Sequence, residues 1–305
     1  MRAWTDIKTP VDDLVQGALP QLPPGVLAVL SMLSYEERAL LFELGRRFDD
    51  RGAIIDAGCF LGGSTLSLAS GLAAASKGRP GLIHSYDLLR VDPEHTAGYS
   101  AEIDKLRVGD SLRPLFEQNI AAHRGLISLH EGNILDERWP GEPIEVLFID
   151  VCKSWEINAH VVAEFFPCLI PGTSVIVQQD LVHWKYPWCA IVMEHLAGDL
   201  EYLGWTWYAS SIWRCRATPS VDLLDVDFRK DIGLEMGLQY LRRAAQRHTG
   251  WAVPILELSR ATLMHEFGED SSASAEVDRV QAEFGCSVPY IVDAYAAIRD
   301  VVSRA

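Results

Sequence analysis

Five short apolar runs punctuate the middle of the chain: AIIDA (53–57), LIHSYD (82–87), LISLH (126–130), EVLFID (145–150) and SVIVQQ (174–179). Each is apolar and too short for a helix, so each predicts a buried strand. Between them lie segments of helical spacing, with starts predicted at Ser64, Ser111 and about Ser154. Alternation of this kind predicts βαβ units and a parallel sheet with helices on both faces. After the fifth run the rhythm changes. WCAIVMEHLAGDLEYLG (188–204) reads as a helix, and WTWYAS and SIWRCRA (205–217) read as two β-rich runs closing in an antiparallel hairpin.

The flanks are helical. SYEERALLFELGRRF (34–48) offers Ser34 as N-cap with Glu37 three residues on, the spacing of a capping box. From Pro219 onward no strand pattern occurs. Helices are predicted over 226–248, 254–267, 274–284 and 289–305, with the serine-rich EDSSASAE (269–276) as a loop. The predicted organisation is a helical cap (1–50), a ligand-binding α/β domain (51–218) and a helical extension (219–305) that serves as a lid or a dimerisation surface. The polar connection at 92–110 is a second candidate lid.

Composition narrows the partners. With 49% hydrophobic residues and nine tryptophans among 305 residues, the chain can bury a full core. A formal net charge of -15 argues against nucleic acid or an anionic membrane, which bind clustered Lys and Arg. The six cysteines are scattered, without zinc or C-x-x-C spacing, and no apolar stretch approaches a membrane span or a secretory signal. A cytoplasmic protein with a small-molecule substrate is expected, able to form a homo-oligomer through its helical extensions.

The chemistry centres on IIDAGCFLGGST (54–65), a glycine-rich turn between the first strand and the next helix. In open parallel sheets that turn comes closest to the ligand. Phe60 stands where a dinucleotide fingerprint needs its second glycine, and the Asp56 carboxylate would repel a pyrophosphate and attract an ammonium group. Asp87 closes the second strand, where an acid can accept hydrogen bonds from ribose hydroxyls, and Asn133 follows the third, near the position of an adenine ring. Gly58 and Gly62 permit close approach, while Ser64 or Thr65 can cap the helix.

With SYD (85–87), GNI (132–134), LFIDVCKSWE (147–156), LIPGTSVIVQQD (169–180) and the closing hairpin, residues 30–217 resemble the class I S-adenosylmethionine-dependent methyltransferases. Within them the chain is similar to the macrocin O-methyltransferase and cephalosporin-biosynthesis methyltransferase group. The resemblance implies a doubly wound, mostly parallel seven-stranded sheet with an antiparallel last strand. It also implies S-adenosylmethionine bound by Asp56, Gly58, Phe60, Gly62, Ser64, Thr65, Asp87, Asn133 and Asp150.

Asp150, Gln179 and Asp180 end the fourth and fifth strands, where their oxygens could share a hard cation such as Mg2+. Similar enzymes carry an acidic pair after strand five, and here Gln179 replaces its first acid. For catalysis the expected groups are Asp150 as base or metal ligand, Lys153 as electrostatic support and His183 as a second base. Trp155, Trp184 and Trp188 would flank the acceptor. The expected activity is O-methylation of a hydroxyl on a sugar or other natural product. The alternatives are N-methylation of a small amine, NAD(P)-dependent oxidation on a similar fold, or a catalytically silent cofactor-binding protein, with each site acid then a simple capping residue.

Overall fold

The apolar runs pair edge to edge in one seven-stranded sheet. In the computed structural model, which describes residues 11–92, 103–206, 209–285 and 289–303, the strands are β1 (Ala53–Ala57), β2 (Ile83–Asp87), β3 (Ile127–Glu131), β4 (Ile144–Ile149), β5 (Val175–Gln178), β6 (Leu200–Trp205) and β7 (Ser211–Cys215). Their order is β3-β2-β1-β4-β5-β7-β6. Strands β1 to β5 are parallel, and β7 runs antiparallel between β5 and β6. The fold is therefore the doubly wound, mostly parallel sheet expected from the pattern. Strand order reverses between β1 and β4, so the carboxyl ends of these two strands border the crevice where such sheets bind ligands.

Every residue of β1 and β4 is buried, as continuous apolar runs covered on both faces must be. On one face α3 (Tyr35–Arg47) packs on α4 (Gly63–Ala74), after the short α1 (Val11–Ala18) and α2 (Pro24–Ala28). The capping box at Ser34 and Glu37 is present, so the start of α3 is set by the residues that predict it. α5 (Arg113–Asn119) precedes β3. On the other face lie α6 (Trp155–Phe165) and α7 (Pro187–His195), followed by α8 (Val221–Leu224), α9 (Phe228–Arg247), α10 (Ala252–Glu266), α11 (Asp270–Phe284) and α12 (Pro289–Ser303). One apolar cluster joins β4, β5, α6 and α7 to the C-terminal helices through Phe165, Ile191, Leu241, Ile255 and Val277. Glu194, 2% exposed on α7, pairs with Arg247 of α9 at 2.5 Å, which anchors the extension.

Two expectations fail. β6 (Leu200–Trp205) begins inside the stretch read as a helix, and WTWYAS supplies only its last residue and the connection to β7. α7 ends at His195, and the chain reverses through Gly198 and Asp199, whose N–H donates to the Leu196 carbonyl at 3.0 Å. LEYLGW then pairs with β7, with Glu201 opposite Arg214 and bonded to it at 2.9 Å. The second failure is EDSSASAE, which forms the first turns of α11. Ala273, Glu276, Val277 and Val280 are buried at helical spacing, so packing on α10 overrides the weak helix propensity of serine.

The candidate lid at 92–110 falls mainly on residues 93–102, outside the described residues. Among the described residues no helix is long and apolar enough to cross a membrane.

Candidate functional site

The turn after β1 is built from inside. Gly58, Phe60 and Gly62 all have positive φ, at 98°, 45° and 88°. The left-handed backbone suits the glycines but is costly for phenylalanine. Asp87 at the end of β2 supports it: Oδ2 accepts the Phe60 N–H and Oδ1 the Leu89 N–H, each at 2.7 Å. Leu89 is itself left-handed, at φ 48°. The acid expected to meet a ribose thus also braces the ligand-facing turn.

The glycines are needed first by the protein itself. A Cβ at Gly58 would run into the backbone carbonyl of Asp150, one at Gly62 would lie 3.0 Å from Ile120 Cγ2, and one at Gly63 would meet Ser31. Gly62 caps α4 from outside, with no side-chain cap, so Ser64 and Thr65 sit inside the first turn of the helix rather than before it.

Asp56 is fully buried beneath the turn rather than displayed beside a ligand. Its Oδ2 accepts a hydrogen bond from Thr65 Oγ1, and Thr65 in turn lies 3.2 Å from Ser85 Oγ. Oδ1 is equally enclosed, with no partner in hydrogen-bond geometry. Burial pushes the carboxyl up to about 6, against the hydrogen bonds of Thr65 and Ser64, and the charge of Asp87 pushes the same way. Asn133 is exposed and caps a short 3-10 turn, its Oδ1 accepting the Leu135 N–H at 3.2 Å. The adjacent Gly132 N–H donates to the Asp87 carbonyl at 3.0 Å, which joins the β3 exit to the same framework.

The second half of the site lies after β4 and β5. Lys153 Nζ donates to Asp150 Oδ1 at 3.4 Å and to Asp180 Oδ2. The acids are shielded, 14% and 13% exposed, whereas the lysine side chain is 47% exposed. The ammonium therefore covers two carboxylates from the solvent side. Asp180 is left-handed at φ 61°, a conformation that aspartate tolerates better than most side chains. Burial alone would lower Lys153, but Asp150 and Asp180 outweigh it and hold the ammonium charged. Burial raises Asp150, Lys153 opposes the rise, and Asp180 and Glu37 add to it, with a net position above the ordinary carboxylate range.

Glu37 is a site residue that the sequence reading spent entirely on the capping box. It is 1% exposed, and Oε1 accepts from Ser210 Oγ at 2.7 Å while Oε2 accepts the Ser34 N–H at 2.9 Å. Burial raises it, against the bonds of Ser210 and Ser34, and Asp180 pushes it further.

His183 joins this half. Its ring lies 4.6 Å from that of Tyr186, and Tyr186 lies under Lys153, with Nζ 5.0 Å from the ring centroid. His183 Nδ1 accepts the Lys185 N–H at 3.0 Å. Burial pushes its pKa down to about 4, opposed by Asp180 and reinforced by Lys153 and Lys185, so the imidazole is neutral at pH 7. Trp184 and Trp188 are 8% and 6% exposed and serve as core, and Trp188 Nε1 donates to the Cys152 carbonyl at 2.7 Å. Trp155 is half-buried and donates to Glu266 Oε2 of α10 at 2.8 Å. Ser259 of α10 also donates to the His183 carbonyl at 3.2 Å. The helical extension thus touches the exits of both β4 and β5, a contact no local pattern announces.

The metal expectation does not fit this arrangement. Among the described residues no group of three or more His, Cys, Asp or Glu side chains is disposed to hold an ion. The carboxylates of Asp150 and Asp180 are already held by Lys153, and Gln179 Oε1 is buried with no partner, outside that bridge.

No protein-family profile matches the sequence, and no curated protein sequence matches it. Similar solved structures include the SAH-bound Podospora anserina methyltransferase PaMTH1, at 12% identity over 71% of this chain and 100% of that one, with a TM-score of 0.40. Cofactor-bound Rv0187 from MTB is similar at 16% identity over 68% and 91%, with a TM-score of 0.42. CalO1, a methyltransferase in calicheamicin biosynthesis, in its SAH-bound form, is similar at 16% identity over 67% of each chain, with a TM-score of 0.32. Likeness at this level does not reach individual side chains, and the function rests on the geometry.

Proposed function

We propose that the protein is an S-adenosylmethionine-dependent methyltransferase acting on a hydroxyl of a small acceptor, such as a sugar or another natural product. One observation carries this reading. The Asp87-braced turn after β1 and the Asp150–Lys153–Asp180 cluster after β4 and β5 meet at the sheet's switch point, where Gly58 abuts the Asp150 backbone. Methyl transfer is an in-line displacement that chiefly requires donor and acceptor to be held in register, and two half-sites in direct contact supply that.

The chain's own groups then have distinct tasks. The Asp87-braced turn would hold the donor, and S-adenosylmethionine would supply an activated methyl on a sulfonium. Asp150, which burial raises above the ordinary carboxylate range, would take the acceptor proton from its ionised form. Lys153 stabilises the oxygen as that proton leaves. The excess of carboxylates, Glu37, Asp150 and Asp180 against Lys153, favours an amine acceptor as the second reading. A nicotinamide dinucleotide is disfavoured by Phe60 at the close-approach position and by Asp56 beneath it.

Calorimetric titration with S-adenosylmethionine, S-adenosylhomocysteine and NAD tests the proposal. Micromolar binding of the adenosyl ligands without NAD binding is expected, and binding of NAD alone, or of nothing, refutes it. Once an acceptor is in hand, Asp150→Asn should lower turnover at least about a hundredfold.

A further inference from the structure

We infer that Lys153 is the resident cation of this site: its ammonium holds the position between Asp150 and Asp180 that a divalent ion would otherwise take, and the site works without metal. The role assigned to the ammonium in catalysis rests on the methyltransferase reading; its occupancy of the cation position does not.

Three observations converge. Lys153 Nζ bonds one oxygen from each acid, across 27 residues of sequence, and so bridges the exits of β4 and β5 as a shared ion would. Its stem leaves from the third residue after Asp150, and its underside rests on the Tyr186 ring, so the ammonium is held on a third side. Charge agrees with geometry. Gln179, next in sequence to Asp180, is a neutral amide, so the ammonium faces two carboxylates and offsets one of their two charges. A hard dication prefers six oxygens, and Asp150 and Asp180 would have to exchange the lysine for it.

Lysine differs from a metal in one functional respect. It is tethered, so the site is charged and ordered at any concentration of free Mg2+, and it donates hydrogen bonds where a metal accepts lone pairs. An acceptor oxygen would meet an N–H donor on the solvent-facing side of the ammonium, where the side chain is exposed.

Manganese(II) binding, read by paramagnetic resonance and calorimetry on the full chain, tests the inference without any acceptor. Wild type should bind no Mn2+ at this site, whereas Lys153→Met should bind one ion, at least about tenfold tighter than any residual wild-type affinity. Lys153→Arg, which keeps the charge, should behave as wild type. Adding Asp180→Asn to Lys153→Met should abolish the gained site. The half-exposed position of Lys153 makes Lys153→Gln a ready substitute if Lys153→Met folds poorly. Mn2+ binding by wild type that Asp180→Asn removes, or equal failure of wild type and both uncharged variants to bind, overturns the inference. S-adenosylhomocysteine titrated in parallel separates the two proposals, because its failure to bind would refute the methyltransferase reading and leave the Mn2+ result standing.

Discussion

Asp87 accepts the backbone N–H of Phe60 at 2.7 Å, so the carboxylate that ends one strand sets the conformation of the turn that leaves its neighbour. The second oxygen does the same for Leu89. Two left-handed residues are held by one side chain. Asp87→Ala should therefore cost about 1–3 kcal/mol of stability and weaken S-adenosylhomocysteine binding more than tenfold. Asp87→Asn, which keeps one acceptor oxygen, should fall between. Thermal melts and ligand titration of the pair check this, and full-strength binding by Asp87→Ala would show that the turn needs no brace.

Asp56 makes stability depend on pH. Its folded pKa of about 6 lies above the ordinary 3.8, so the neutral form is favoured in the native state. The stabilisation is full below 3.8 and lost as pH rises through 6, amounting to about 3 kcal/mol. Asp56→Asn should accordingly be more stable than wild type at pH 7.5, with a margin that narrows toward pH 4.5. Urea midpoints across that range measure the margin. A variant less stable than wild type at pH 7.5 would mean that the charged carboxylate is not a burden.

His248 carries the opposite sign. It is 5% exposed, Nδ1 bonds the Ala244 carbonyl at 2.7 Å, and Nε2 is buried with no partner. Burial pushes it down to about 4 from the ordinary 6.5. The unfolded chain takes up the proton first, so stability drops as pH falls from 6.5 to 4, by about 3 kcal/mol at the limit. His248→Gln should remove that drop while leaving the high-pH plateau nearly in place. The test is the slope of unfolding free energy between pH 6.5 and 4.5, which should flatten.

The Trp155–Glu266 bond ties the extension to the β4 exit. Burial raises the Glu266 carboxyl, and the Trp155 bond opposes that rise. Trp155→Phe leaves this carboxylate without its indole partner, at a cost of about 1–3 kcal/mol. S-adenosylhomocysteine affinity should stay within about twofold, because the proposed donor half of the site lies on β1, β2 and β3. A large loss of cofactor affinity would place Trp155 in the wrong half.

Much of the sheet was legible because β1 to β5 are short apolar runs separated by helical segments, and all five fall within a residue or two of their predicted limits. β6 was not, since LEYLG satisfies helical and strand spacing alike, and only its pairing with β7 decides. The start of α11 was hidden for the same kind of reason: serine is a poor guide to a helix held by its buried face. In the site, Asp87 and Asp150 could be chosen by position at strand ends. The Lys153 bridge could not, because it joins residues whose distance in sequence says nothing of their approach. Glu37 was hidden by having a sufficient local explanation, its cap on α3, and its bond to Ser210 spans 173 residues.

The Gly58 contact with the Asp150 carbonyl constrains how this chain can change over evolution. Any side chain at position 58 would push the β4 exit away from the β1 turn, and with it the Asp150 carboxylate. A lineage adapting to a bulkier acceptor therefore cannot widen the crevice along that seam without disturbing the turn. Its freedom lies instead around Trp155, Tyr186 and α10, where residues can be exchanged while the spacing between the two strand exits is inherited unchanged.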